Sequence, residues 1–285
     1  MPSLKHIRKR IASVRSTQQI TKAMKMVSAA KLRRAQEAAE NARPYGARLN
    51  ELLASVAAGV GEGSHPFLEP GSQAPAEVVV ITSDRGLCGG YNTNLIKKAE
   101  GFLRSEDGRD ATMTACGRRG FDYFRKRVAD RITSQHVNRP GGFDLALARE
   151  VAADVAKRFR AGEIGSVYLV CSRFRSAISQ TPVVERLLPV ERSEAGAEGV
   201  EYVFEPAPAA LLETLLTRYV ETRIFQAFLE ANASEHGARM TAMDSATRNA
   251  SDMIERLTLQ MNRARQATIT TELMEIVGGA EALKG

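Results

Sequence analysis

Both ends of the 285-residue chain carry the apolar stripe of a long helix, and everything that reads as strand lies between them. From Met240 the apolar or small residues fall at 240, 243, 247, 250, 254, 257, 261 and 264, the alternating three and four spacing of a coiled-coil seam. Leu4, Ile7, Ile11 and Val14 repeat that spacing near the start. Two amphipathic helices without neighbours in sequence bury their stripes most economically against each other, antiparallel, with the intervening chain hung on the far end. The pattern predicts a rod carrying a head.

The first helix is expected from residue 3 to about 42, where there is no Gly or Pro and Ala, Lys, Arg, Gln and Met dominate. Pro44 and Gly46 predict a kink or short break, followed by more helix through 49–56. The Gly- and Pro-rich stretch 59–75 reads as a connector. Strand candidates then follow at 78–82, 111–116, 132–137 and 166–172, with helical stretches at 92–104, 120–127 and 145–159 between them. That alternation predicts a parallel, Rossmann-like sheet. Two further strands, 179–190 and 200–204, have no helix between them and suggest an antiparallel edge. From Pro208 the text is helical almost to the end, and some seventy residues at about 1.5 Å each make a helix on the order of 100 Å long. The expected division is a helix over 1–58, a connector over 59–76, an α/β domain over 77–206 and a C-terminal helix over 207–285.

Charge is unevenly distributed. Ten bases, from Lys5 to Arg34, precede the first acid, Glu37, so this end seeks an acidic partner. No stretch approaches the roughly 18 uncharged apolar residues of a membrane span. The N-terminal bases have no apolar run behind them, so neither a secretory nor a transit signal is read there. Cys88, Cys116 and Cys171 form an odd set without CxxC or Cys/His clustering, which suits a reducing compartment rather than a disulfide framework. His6, His65, His136 and His236 are scattered, so no metal site or shared catalytic centre is expected. Glu272 and Glu275 lie a helix turn apart, and a partner-facing surface is preferred for them over a general acid/base pair.

Two alternatives compete with a structural reading. The loop SDRGLCGGY at 83–91 follows the first strand and precedes a helix, where phosphate-binding loops sit, which would make the chain a nucleotide-binding α/β enzyme. It matches neither GxGxxG nor GxxxxGK[ST], and glycine is needed for the turn alone. The basic first helix would suit a nucleic-acid-binding coiled-coil protein, but no aromatic residue precedes Tyr45 to stack on a base.

Residues 269–282, ITTELMEIVGGAEA, carry Ile-Thr, an acid, a second acid three residues on and then Gly-Ala at a set distance. This resembles the signature of the gamma subunit of F-type ATP synthases. The N-terminal text SLKHIRKRIASVRSTQQITKAMKMVSAAKLRRA is similar to the same family, as are SDRGLCGGYNTNL, EYVFEP and ASEHGARMTAMDSATRNASDMI, so the resemblance runs the length of the chain in order. It implies a rotor shaft: an antiparallel coiled coil inside a ring of three alpha and three beta subunits, and an α/β domain at the foot, on the membrane ring of c subunits beside epsilon. It implies no catalytic residue, cofactor or metal in this chain, no direct small-molecule substrate and no nucleic acid. Met24 matches a methionine whose replacement by a base impairs coupling near an acidic lever of beta, and Arg265 and Gln266 match a catch against a beta loop. Arg239, Thr270 and Glu272 match positions implicated in coupling, and Tyr202 and Glu205 match contacts of the foot with the c ring and epsilon. The cysteine-bearing insertion of chloroplast gamma subunits is lacking, and a bacterial enzyme on the cytoplasmic face of the plasma membrane is expected.

Overall fold

The computed structural model describes residues 4–58, 60, 63–140, 142–191 and 208–282. They fall into two compact units, Met1–Val27 with Met240–Gly285, and Ser28–Arg239. Helices α1 (Leu4–Ala58) and α5 (Pro208–Ala282) contribute to both.

In the first unit the two helices pair antiparallel, because partner numbers on α5 fall as those on α1 rise. Gln18 donates to Ser251 Oγ at 2.7 Å, Thr247 donates to Thr21 Oγ1 at 2.8 Å and Lys25 reaches Asp244 at 2.6 Å. Ile7 and Ile11 are buried with Leu257, and Ile254, Met261 and Ala264 pack beside them. The apolar seam is thus interrupted by a hydroxyl pair at Thr21 and Thr247, the kind of polar seam contact that selects one register over its neighbours. The pairing ends where α1 begins, and every residue from 265 to 280 is exposed. At about 1.5 Å per residue those sixteen residues make an overhang of about 24 Å.

The second unit holds a five-stranded sheet of order β3-β2-β1-β4-β5. Strands β1 (Ala76–Ile81), β2 (Thr112–Cys116), β3 (Ile132–His136) and β4 (Ser166–Ser176) are parallel, and β5 (Ser179–Leu188) is the antiparallel edge. The expected strand at 200–204 lies outside the described residues. Alternation along β1 separates two cores: Val78 and Val80 face α2 (Tyr91–Leu103) and α3 (Arg118–Phe124), while Val79 and Ile81 face α4 (Leu145–Arg160) together with parts of α1 and α5. On α5 the second core takes Leu212, Leu216, Val220, Ile224 and Phe228, a row spaced by fours. Each such step turns the buried face by about 40°, so the row winds around the helix.

Pro44 and Gly46 do not interrupt α1, contrary to the break expected there. Pro44 faces solvent, and the carbonyl of Glu40, which loses its helical donor, belongs to an exposed residue that water can satisfy. Gly46 is buried, and a Cβ there would lie 2.0 Å from Gln226 Nε2, the group that reaches the Ala42 carbonyl, so the glycine leaves room for that side chain.

Glu77 is a feature that the apolar run at 78–82 conceals. Its carboxylate is fully buried on the α4 side of the sheet, held by Arg158 at 3.1 Å, Thr114 at 2.6 Å, Thr133 at 3.0 Å and Thr112. Every acceptor position is thereby engaged, which is the condition for tolerating a charge inside a sheet.

Cysteines introduced by Ile11→Cys and Leu257→Cys are expected to cross-link under mild oxidation, whereas Ile11→Cys with Met243→Cys gives none; the reverse outcome would exclude the antiparallel register. The native thiols do not interfere: burial raises Cys88 and pushes Cys116 and Cys171 up to about 12, leaving them protonated near neutral pH.

Candidate partner-contact surface

The order of the sheet reverses between β1 and β4, so the crevice of this α/β fold opens at the carboxyl ends of those two strands. Ligands of open α/β sheets enter there, but in this chain α5 itself lies against it. Tyr91, opening α2, donates its hydroxyl to the Ala231 carbonyl at 3.2 Å, and Ser234 donates to the Ser172 carbonyl at 3.4 Å. Glu230 accepts the Phe174 amide at 3.3 Å, and the Gly86 carbonyl accepts from Arg239 Nη2 at 3.2 Å. A Cβ on Gly237 would come within 3.2 Å of the Ala177 carbonyl, so a small residue lets the helix and the β4–β5 hairpin approach closely. Over about three helical turns, a series of side chain to backbone bonds attaches α5 to the carboxyl edge of the sheet.

The loop after β1 is similarly engaged with its own fold. Asp84 accepts the amides of Arg118 at 2.9 Å and Asn138 at 3.1 Å, and Asn92 accepts from the Ser83 amide at 3.0 Å. Leu87 adopts φ 63°, the left-handed region that costs a non-glycine residue energy, and its side chain is exposed. The acid within the loop disfavours an incoming phosphate, and the carbonyl of Gly86 is occupied by Arg239.

Arg239 is only 8% exposed and also pairs with Glu235 at 2.7 Å, one helical turn away. His236 Nδ1 lies 3.3 Å from Arg239 Nη1, and burial together with the Arg239 and Lys31 charges lowers the imidazole to about 4, so it remains a neutral acceptor. Burial holds the Glu235 carboxyl above the usual carboxylate range, opposed by Arg239. The i, i+4 spacing of Glu235 and Arg239 is legible in sequence; their joint burial against Gly86 is not.

The remaining site residues separate by location. Met24 is half-buried in the coiled coil beside Lys25, whose hydrogen bond holds Asp244 below its ordinary value. Arg265, Gln266, Thr270 and Glu272 all stand exposed on the overhang. Arg265 and Glu272 are seven residues apart and share one face, and Thr270 donates to the Gln266 carbonyl at 3.0 Å. Tyr202 and Glu205 lie outside the described residues.

The overhang also exposes Ile269 at 52%, Leu273 at 57% and Ile276 at 72%, spaced as an apolar helix stripe. Ile269 follows the last seam residue, Ala264, by five positions, a rotation of about 140°. The stripe therefore points away from the direction of the seam and does not extend the groove that α1 fills. Beyond 264, sequence reading by seam spacing alone misses this second face, although the change in apolar spacing after 264 carries the signal.

Replacing Arg239 by Met strands the Glu235 carboxylate, and we expect a loss of about 3 kcal/mol in urea unfolding near neutral pH. Without the guanidinium, the folded-state pKa of Glu235 rises further above its unfolded value. Stability from such a group is present at low pH and lost as pH rises through the usual carboxylate range to the folded value. The variant should thus be less impaired at about pH 5 than at about pH 7, and adding Glu235→Gln should abolish that difference; a pH-independent deficit in R239M alone would contradict the assignment.

A family model described as ATP synthase matches residues 3–283. An ATP synthase gamma chain from Pelotomaculum thermopropionicum is 51% identical over 286 residues, covering 100% of both chains. One from Anaeromyxobacter dehalogenans is 51% identical over 294 residues, again covering 100% of both. Among solved structures, the central stalk and c-ring of the Tetrahymena thermophila mitochondrial ATP synthase contains a chain matching with TM-score 0.60 at 25% identity, over 80% of this chain and 99% of that one. A chain of the Euglena gracilis mitochondrial ATP synthase shares the fold, with TM-score 0.68 at 20% identity over 98% of this chain and 94% of that one. The length of the matches and their level of identity establish that this chain belongs to the ATP synthase gamma chain family.

Proposed function

We propose that the chain is the central-stalk rotor subunit of a proton-translocating F-type ATP synthase, carrying torque between the membrane c ring and the catalytic beta subunits. The observation that most supports this reading is the overhang of α5, where a helix continues from 265 to 280 with all its residues exposed and an apolar stripe turned away from the seam. An isolated coiled coil gains nothing from such a segment, whereas a ring of surrounding subunits supplies the cover it lacks.

In this reading the chain is non-catalytic. Three alpha and three beta subunits surround the coiled coil, and epsilon and the c ring meet the α/β body. The parts at work are the helix 1–58, the connector 59–76, the α/β domain 77–206 and the helix 207–285. No helix among the described residues is long and apolar enough to cross a membrane, which is compatible with a peripheral subunit on the cytoplasmic face of a bacterial plasma membrane.

One charge crossing 100 mV yields only about 2.3 kcal/mol, so several ion steps have to be accumulated for each ATP. A stiff helix pair can hold that energy as torsion if the driven end is attached firmly. The bonds from Tyr91, Ser234, Glu230 and Arg239 tie α5 to the α/β body and serve as that attachment. Within the coiled-coil unit, Met24 beside the Lys25–Asp244 pair and, separately, Arg265, Gln266, Thr270 and Glu272 on the overhang present different faces to each beta subunit. Affinities at the three sites then differ because their contacts differ. Tyr202 and Glu205 are assigned to epsilon and the c ring.

Met24→Lys in the assembled complex is expected to leave ATP hydrolysis largely intact while lowering ATP-driven proton pumping, read as quenching of a pH-sensitive dye in membrane vesicles. Unchanged pumping would remove Met24 from the coupling surface. Copurification of alpha, beta and epsilon with the tagged chain from membranes tests the reading as a whole.

A further inference from the structure

Along residues 212–228, α5 is seated on the α/β body by its row of buried side chains, with polar contacts on either flank of that row. Glu213, Thr217 and Glu221 each follow a buried residue by one position, whereas Arg223 precedes Ile224 by one, about 100° to either side of the row. The first flank faces α4: Arg160 pairs with Glu213 and reaches Thr217 at 3.5 Å, and Arg149 lies 3.6 Å from Glu221. The second faces the β4–β5 hairpin. Arg223 donates to Glu185 of β5 at 2.8 Å, and Arg173 of β4 holds the other oxygen of that carboxylate. Glu230, seven positions beyond Arg223 and on the same face, accepts the Phe174 amide. The Glu185 and Arg223 side chains are 21% and 32% exposed, against 55% and 40% for Glu213 and Arg160.

Apolar burial holds a helix against a surface without fixing its angle, whereas hydrogen bonds weaken steeply with angle and distance. Rolling α5 in one sense lifts one flank off the body and presses the other into it. Close packing resists the pressed side, and only bonds resist lifting. On the rotor reading, on which this inference rests, the sense of roll is constant. The c ring and the beta subunits drive the shaft in opposite directions, so α5 lags the body during synthesis and leads it during hydrolysis. Because the direction of rotation reverses as well, both cases displace α5 the same way relative to the body. One flank is therefore under tension in both directions of catalysis, and the other in neither. We propose that the tensed flank is the hairpin side, where Glu185 and Arg223 are positioning residues for coupling. Their bond is shorter and less open to competing water than those on the α4 flank whose distances bracket it, and Arg173 anchors its far side.

The test uses the whole complex in liposomes, with ATP synthesis under an imposed proton gradient and ATP-driven proton pumping measured on the same preparation. Glu185→Gln and Arg223→Gln are each expected to lower both rates by about threefold, the scale of one exposed ion pair. Hydrolysis by the soluble complex stripped from the membrane, where no c ring opposes the shaft, should be unchanged. R223K, which keeps a charged donor for Glu185, should recover most of both rates. Glu213→Gln with Glu221→Gln, on the α4 flank, should leave synthesis and pumping near those of the unsubstituted complex. Equal or greater impairment by E213Q/E221Q would overturn the proposal, as would impairment of one direction only by E185Q. A matching loss in soluble hydrolysis would reduce Glu185 and Arg223 to a structural role and overturn it too. Failure of the unsubstituted tagged chain to recover alpha and beta subunits would instead overturn the rotor reading, and this proposal with it.

Discussion

The whole arrangement depends on one constraint: a helix of 75 residues cannot be held by backbone propensity alone, so each stretch of α5 needs a partner of its own. From Leu212 to Phe228 it meets that need with a row of apolar residues spaced by fours against the sheet and α4. From Glu230 to Arg239 the partner changes from apolar surface to backbone carbonyls and an amide at the edge of the sheet. From Met243 to Ala264 the spacing becomes that of a coiled coil, and α1 supplies the complementary face. After Ala264 nothing within the described chain takes over. The fold thus uses a single helix in four successive environments, and the apolar spacing changes with each.

Much of this was legible. The seam from Met240 to Ala264 appears as alternating threes and fours because coiled-coil packing is a one-dimensional pattern that sequence displays directly. The β-branched run after Glu77 and the alternation of strands and helices gave the parallel sheet, since double-sided burial demands apolar residues at consecutive positions. Less visible were features that depend on three-dimensional proximity. Glu77 reads as the polar edge of a strand until Arg158 and three threonines, 35 to 81 residues away, converge on it. Pro44 reads as a breaker, and only its solvent-facing position explains why the helix tolerates it. The residues proposed for coupling follow from family resemblance rather than from local chemistry, because residues such as Thr270 and Gln266 differ little from any exposed helical pair.

The crevice at the strand reversal illustrates how a fold associated with ligand binding can be turned to another use. Both ingredients of a nucleotide site are there, a glycine-containing loop after β1 and a helix beginning at Tyr91. The loop's carboxylate is spent on the amides of Arg118 and Asn138, and a buried arginine from α5 takes the Gly86 carbonyl. Geometry that elsewhere orients a ligand here orients a helix. Substituting a protein element for a small molecule makes the contact permanent, which suits a part that must transmit force rather than turn over.

The exposed stripe at Ile269, Leu273 and Ile276 also bears on the life of the chain before it is assembled. A free copy presents that surface to water, and a second free copy presents the same surface to it, so self-association competes with incorporation. The competition is second order in free chain, while on the proposed rotor reading capture by a surrounding ring is limited by the supply of ring subunits. Keeping free copies scarce relative to that supply is therefore a condition for correct assembly. The segment that makes the chain useful inside a complex sets an upper bound on how much of it a cell can safely make in excess.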